Sequence, residues 1–436
     1  MDYRIALSSV DEMLARNGLA ETVGVIFFFA GELPDPGELH ARVAERWGDQ
    51  ARLRLVLDPP PNGYRRLYQH HRWAVAPGFD PADHVLPVAE AGEPHAPEHA
   101  GNPMENLSTL LTPHVSRPMP ASLPPWRLLP VRGVPDDGFA LVLLSHHSLL
   151  DGSSLLTLLR LLLDGTPKPA GGTPAPAAPI CTPQQPMHWA CLARALRAEL
   201  PRGSALPDTL EGHAHPEVAF AALEHDNVRA ACGLADGRGA TLNELLIALT
   251  TGALRSVYGL PRPVGRRQVP PVQATVPIDL RTRETAHHLG NIVSSVRIPL
   301  PLQAPTPHAR LTACRQLLAK VPRGTAHQDL IRLGDAVNRL GPWVVEALAK
   351  RGYSPAYAAV NTTALKWRHP QAHLGDRPLV RVAALPPLHQ PGTLNFHAVA
   401  SGHTVTLTVV SHTRQGTAHT LADAVSCELT QMARSV

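Results

Sequence analysis

The sequence predicts a mixed α/β protein built as two lobes, and three observations carry this. Short apolar runs rich in β-formers alternate with helical patterns in both halves of the chain. A tract rich in proline, glycine and alanine, GTPKPAGGTPAPAAPICTPQQP, separates those halves at residues 165–186. The length of 436 residues at 44% hydrophobic content is enough for two packed cores. The expected division is 1–164, a linker at 165–186, and 187–436.

In chain order, VGVIFFFA (23–30) reads as a buried strand, short and β-rich. Residues 34–47 follow as a helix, with Leu39, Val43 and Trp47 near helical spacing. RLRLVL (52–57) alternates like a half-buried strand, and FALVLL (139–144) has the character of a central one. Gly152 then breaks into a helix over 153–163 with a serine available as N-cap. The second half opens with a helix at 188–200 and a short strand at 219–223. Its best helix is 241–258, where Thr241 and Glu244 form a T-x-x-E capping box. Residues 272–278 and 292–298 read as strands, 394–400 and 403–410 as a hairpin turning at Ser401-Gly402, and 421–434 as a closing helix.

Bulk properties exclude several functions. The net charge is only +4 and no basic stripe is present, which argues against nucleic-acid partners. That mild positive balance is compatible with an anionic co-substrate or a peripheral membrane contact. The five cysteines are scattered without a C-x-x-C pair, so a reducing compartment fits better than a disulfide framework or a structural zinc. MDYRIALSSVDEML has no signal-type apolar core, and VGVIFFFA is too short to span a bilayer. The expectation is a cytoplasmic protein with no transmembrane segment.

The chemistry concentrates in LSHHSLLDGSS (144–154). Neighbouring strand residues face opposite ways, so His146 and His147 cannot both face one cavity from regular strand geometry. One neutral imidazole in a cleft is suited to general base catalysis, since its ordinary pKa near 6.5 leaves it able to accept a proton at pH 7. Asp151 is placed to hold an arginine or to cap the following helix, and Gly152 permits close backbone approach at the turn. The bland reading has weight: the chain holds 24 histidines, with other pairs at His70-His71 and His287-His288. No third ligand falls at metal-site spacing, so no metal is expected.

As a unit, H-H-x-x-x-D-G between strand and helix resembles the active-site motif of the superfamily of chloramphenicol acetyltransferase, peptide-synthetase condensation domains and coenzyme A-dependent acyltransferases. Further segments resemble one branch, the bacterial wax ester synthase/diacylglycerol acyltransferase family. They are LSSVDEML, FDPADHV (79–85), RPMPASLPPWRLLPV (117–131), TLNELLIALTTGALR (241–255) and VPIDLR…LGNIVSSVRIPLP (276–301). The resemblance implies two chloramphenicol acetyltransferase-like lobes, each a mixed sheet flanked by helices, with a tunnel between them. It implies His147 as base and His146, Asp151 and Gly152 as motif support. Arg54 is the candidate partner of Asp151. Trp126, Asn243 and Asn291 are candidates for the tunnel, although for Asn291 a turn-ending role is the preferred reading over a hydrogen bond within the tunnel.

The implied reaction moves an acyl group from a thioester, on coenzyme A or a carrier protein's phosphopantetheine, to an alcohol. The alternative is a condensation-like enzyme that forms an amide or ester from carrier-bound or small specialised substrates. No permanently bound cofactor is implied, and backbone N–H groups near Gly152 are an option for the oxyanion. A binding relative without catalysis is the rival from another class; such relatives usually lose the second histidine, which this chain keeps. The sequence departs from the family pattern at Pro124-Pro125-Trp126, at Asn243-Glu244, and at VNTTAL (360–365), where a V-P-G-P-like turn is missing. A long apolar tunnel would suit fatty chains; a short polar one would suit small acceptors.

Overall fold

The computed structural model describes residues 4–17, 21–61, 63–91, 102–120, 122–135, 138–167, 193, 197, 201–207, 214–233, 239–260, 269–321, 325–369 and 371–435. Most of the expected linker and nearly all of the expected helix at 188–200 lie outside the described residues.

Two six-stranded mixed sheets form the frame. The first runs His373–Leu374, Arg377–Leu385, Thr22–Phe29, Gly138–His146, Trp126–Val134, Ala89–Glu90. Its centre is built from the most apolar stretches of the chain: all eight residues of Thr22–Phe29 are buried, as are Gly138–Ser145. Gly24 is required here, since a Cβ would stand 3.0 Å from the Leu143 carbonyl and the Leu144 side chain. Helix Gly152–Leu162 lays Leu155, Leu158, Leu159 and Leu162 against this sheet at i, i+3, i+4, i+7 spacing. Each such leucine contributes about 1.5–3 kcal/mol by leaving water.

The second sheet runs Val293–Pro299, Gln273–Asp279, Val360–Trp367, Leu394–Ser401, Thr404–Thr413, His215–Leu223. Its core face packs against helices Leu242–Tyr258, Pro307–Ala319 and Thr417–Arg434. The capping box opens Leu242–Tyr258 as read from sequence: Thr241 Oγ1 accepts from the Glu244 amide, and Glu244 accepts from the Thr241 amide. The hairpin at Ser401-Gly402 is also present, with Gly402 at φ 57°.

One expectation, at residues 52–57, is corrected, and one strand crosses between the halves of the chain. Arg377–Leu385, from the C-terminal half, pairs antiparallel with Thr22–Phe29 and completes the first sheet. Residues 51–54 are a 3-10 turn rather than strand; only Leu55–Asp58 is extended, in a small sheet with Arg72–Val75 and Arg4–Ala6.

Candidate active site

Strand Gly138–His146 delivers the motif to the junction of the lobes. His146 is its last residue and His147 the first of the turn. His146 Nδ1 accepts from the Ser148 amide at 3.2 Å and stands 2.8 Å from Ser148 Oγ, so this ring holds the turn. Burial, helped by His147 and His71, pushes the His146 pKa down to about 4.

His147 is fixed through its main chain. Its amide donates to the Glu21 carbonyl at 2.7 Å, and its carbonyl accepts from Asn291 Nδ2 at 2.7 Å. Burial lowers the His147 pKa, opposed only in part by its own carbonyl, Asp151, Asn291 and Asp11, so the ring is neutral at pH 7. Its Nδ1 has no hydrogen-bond partner in the protein. His389 and His397 lie near enough for His147 to disfavour their charging; burial first, then these neighbours, bring both down to about 3. All four histidines have intermediate exposure.

Glu21 is the only non-glycine at positive φ among the described residues, at 48°. The left-handed conformation costs on the order of 1 kcal/mol and accompanies a carbonyl aimed at the His147 amide. Its carboxyl is wholly buried, accepts from Asn17, and is pushed up to about 8 by burial.

Asp151 both caps a helix and holds an arginine. Its Oδ1 accepts from the Ser154 amide at 2.8 Å. The arginine is Arg281, whose guanidinium donates to Oδ2 at 2.9 Å and Oδ1 at 3.0 Å. Arg281 also donates to Ser154 Oγ and to the Gly290 carbonyl, and the Ile292 amide donates to Asp151 Oδ2. The motif turn is thereby clasped to the connection between Gln273–Asp279 and Val293–Pro299 of the second lobe.

Arg54, expected in this role, is exposed and donates instead to the Gly48 carbonyl at 2.6 Å. A strand would have put residues 52 and 54 on one side; a 3-10 turn, with three residues per turn, splays them. Arg52 is the inward one. It donates to the Leu149 and Ser148 carbonyls and pairs with Asp11 at 2.8 Å. Asp11 also accepts from Asn291, whose Nδ2 reaches the His147 and Ser148 carbonyls too. Asn291 therefore acts on the motif's backbone rather than simply ending a turn.

Trp126, expected in the tunnel, sits in the first lobe's core at 0% exposure. Its indole N–H donates to the Leu53 carbonyl, His84 stacks on it at 4.3 Å, and Trp47 meets it edge-on. Asn243 stands in the first turn of helix Leu242–Tyr258 with a buried Oδ1 that has no partner. A Cβ at Gly152 would meet only Leu365, at 3.8 Å, so close approach does not explain that glycine.

Arg281, Asp11, Arg52, Glu21, His389 and His397 were missed. Arg281 ends VPIDLR and Asp11 lies in LSSVDEML, so both were within reach of the motifs. Nothing local marks His389 or His397 among 24 histidines. Among the described residues, no group of three or more His, Cys, Asp or Glu is arranged to hold a metal. A cavity of about 440 Å³ near Leu206, Leu254 and Leu302 shares no residue with the histidine cluster.

The family described as wax ester synthase/diacylglycerol acyltransferase catalytic domain matches residues 7–268, and its WS/DGAT C-terminal domain matches 289–433. The chain belongs to the wax ester synthase/diacylglycerol acyltransferase family.

Within that family, "Probable diacyglycerol O-acyltransferase tgs2" of Mycobacterium tuberculosis is 27% identical over 214 residues, covering 43% of this chain and 46% of that protein. The chain thus spans about half the length of the first such relatives. "Putative diacyglycerol O-acyltransferase Rv3087" of the same organism is 25% identical over 332 residues, 68% of this chain and 66% of that one. The solved wax ester synthase/diacylglycerol acyltransferase of Marinobacter aquaeolei VT8 shares the fold, with TM-score 0.65, 17% identity and 99% of each chain covered. The first condensation domain of the calcium-dependent antibiotic synthetase gives TM-score 0.69 at 14% identity, over 99% of this chain and 96% of that one. The two-lobe chloramphenicol acetyltransferase-like architecture is thus the fold of this WS/DGAT chain. Among the described residues, no helix is long and apolar enough to cross a membrane.

Proposed function

We propose that this chain transfers an acyl group from a thioester to a hydroxyl acceptor, with His147 as general base. The observation that carries this is the His147 ring: buried, neutral, and fixed at both its amide and its carbonyl at the junction of the lobes. Membership of an acyltransferase family supports the reading.

His147 takes the proton from the acceptor O–H as that oxygen attacks the thioester carbonyl carbon. The tetrahedral intermediate collapses, the C–S bond breaks, and His147 returns the proton to the departing thiolate. Ester and free thiol result, with no change of oxidation state. A base held this way contributes about 10²–10⁴-fold, and positioning by the Asp151–Arg281 and Asp11–Asn291 contacts supplies part of the remainder.

Coenzyme A is the donor carrier we favour. A starter condensation domain of rhizomide synthetase, of the same fold, has been solved with C8-CoA. A carrier-protein donor with an amine or specialised acceptor is the second reading, favoured by the likeness to the antibiotic-synthetase condensation domain. Both readings use the same base. We place the reaction in the cytoplasm; Cys232, Cys314 and Cys427 are free thiols, in keeping with a reducing compartment.

The test is mass spectrometry of the protein incubated with mixed acyl-coenzyme A donors or with acylated carrier protein, and a panel of alcohols and amines, beside His147→Ala. A new ester that nearly vanishes in the variant supports the reading. Ester formed equally by both proteins removes His147 as base. An amide formed only from acylated carrier protein moves the assignment to the second reading.

A further inference from the structure

The two faces of the second lobe's sheet differ in chemistry. Toward the helices, Val360, Leu394, Phe396, Leu407 and Val409 form a closed apolar core. The other face presents Asn361 and Thr363 from Val360–Trp367, Asn395 and His397 from Leu394–Ser401, and Thr408 from Thr404–Thr413. Strand register sets them side by side: Asn361 opposite Asn395, Thr363 opposite His397, and His397 opposite Thr408. Farther along this face, Val218 and Val410 pack with Ala383 and Leu385, so it looks into the first lobe. Leu365, the next residue on this face after Thr363, is what a Cβ at Gly152 would meet, at 3.8 Å, so the wall runs up to the motif turn that carries His147.

A sheet face enclosed between two lobes is ordinarily apolar, because an unmatched buried polar group is costly. Here Asn361 Oδ1, Thr363 Oγ1, both amide atoms of Asn395, His397 Nε2 and Thr408 Oγ1 are buried without a hydrogen-bond partner in the protein. Asn395 is 1% exposed and Thr408 0%. The strand that begins the wall is Val360–Trp367, VNTTALKW.

We propose that this wall is the acceptor subsite and that the acceptor is a small polyhydroxylated molecule rather than a fatty alcohol or a diacylglycerol. The inference rests on His147-dependent acyl transfer. The spacing argues for a polyol. Neighbouring strands stand about 4.8 Å apart, and alternate residues about 6.8 Å apart along a strand, so the donors and acceptors form a compact two-dimensional array. Several hydroxyls on a small carbon skeleton match such an array. An alkyl chain leaves every one of these groups unpaired, and a site built to bond hydroxyls rejects analogues that lack them. The linear pantetheine arm of a donor matches a row, not a patch.

The experiment holds octanoyl-coenzyme A as donor and offers glycerol, a hexitol, 1-hexadecanol or 1,2-dioctanoylglycerol as acceptor. Free thiol and ester are measured for wild type and for Asn395→Leu combined with Thr363→Val, after thermal melts establish folding. The expected wild type esterifies the polyols with kcat/KM at least about 10²-fold above hexadecanol. The double variant is expected to lose at least about tenfold on polyols while holding or gaining on hexadecanol. Preference of the wild type for hexadecanol or dioctanoylglycerol overturns the inference and leaves acyl transfer standing. An equal loss on all acceptors, with a raised KM for octanoyl-coenzyme A, assigns the wall to the donor arm and also overturns it. Absence of ester with every acceptor overturns acyl transfer from coenzyme A together with the inference. If the double variant does not fold, the wild-type preference decides alone.

Discussion

Arg281 and Asp151, 130 positions apart in sequence, meet in a two-pronged ion pair, with Arg281 nitrogens 2.9 and 3.0 Å from the two carboxylate oxygens. Both side chains are nearly sealed from water, at 5% and 7% exposure. The pair joins the motif turn of one lobe to a connection of the other, and so anchors the turn that carries His147, the proposed base.

Removing one partner of such a pair leaves a buried charge alone. Arg281→Ala is expected to cost about 3–5 kcal/mol of stability. Arg54→Ala, at an exposed residue, should stay within about 0.5 kcal/mol of wild type. Urea unfolding of the two variants separates them. Equal midpoints would refute the assignment of Arg281 over Arg54.

The His147 ring is held neutral by burial, below the usual histidine value. A base active in its neutral form therefore keeps working as pH falls past 6.5. The acid limb of kcat/KM is expected to lie below pH 6.5 in wild type. A limb at or above 6.5 would mean that substrate-free His147 is more solvated than its surroundings imply.

Glu21 and the buried histidines pull stability in opposite directions with pH. The Glu21 carboxyl, pushed up to about 8, keeps its proton in the folded state while the unfolded chain loses it from about pH 4.5. Stability from this group is complete below pH 4.5 and declines as pH rises to about 8. His146, at about 4, stays neutral when folded while the unfolded ring charges below 6.5, so its contribution declines as pH falls from 6.5. Glu21→Gln should therefore raise stability at pH 8 by up to a few kcal/mol, on the order of the linked shift, and change it less at pH 5. Melting curves at the two pH values measure this, and equal effects at both would contradict a protonated Glu21.

Trp126 is fully buried in the first lobe's core. Trp126→Phe removes the donor to the Leu53 carbonyl and should cost about 1–3 kcal/mol. Its effect on the KM of any acceptor should be small. A selective rise in acceptor KM with stability unchanged would return Trp126 to the tunnel.

The sequence by itself determined the elements that rest on local patterning. The central strand Thr22–Phe29, the leucine face of Gly152–Leu162, the capping box at Thr241 and the hairpin at Gly402 all follow from periodicity, capping and turn chemistry, which are visible within a few residues. The place of H-H-x-x-x-D-G between strand and helix, and Asp151 as a residue that caps or pairs, are legible for the same reason, while the motif's meaning comes from its resemblance to a family. Only the tertiary structure decided which arginine pairs with Asp151, because residues 52–54 turn as a 3-10 segment and Arg281 arrives from another lobe. It alone brought His389, His397 and Glu21 beside His147, since long-range register has no local signature. The same holds for strand Arg377–Leu385, which crosses to the first sheet because an antiparallel edge there satisfies the backbone of Thr22–Phe29.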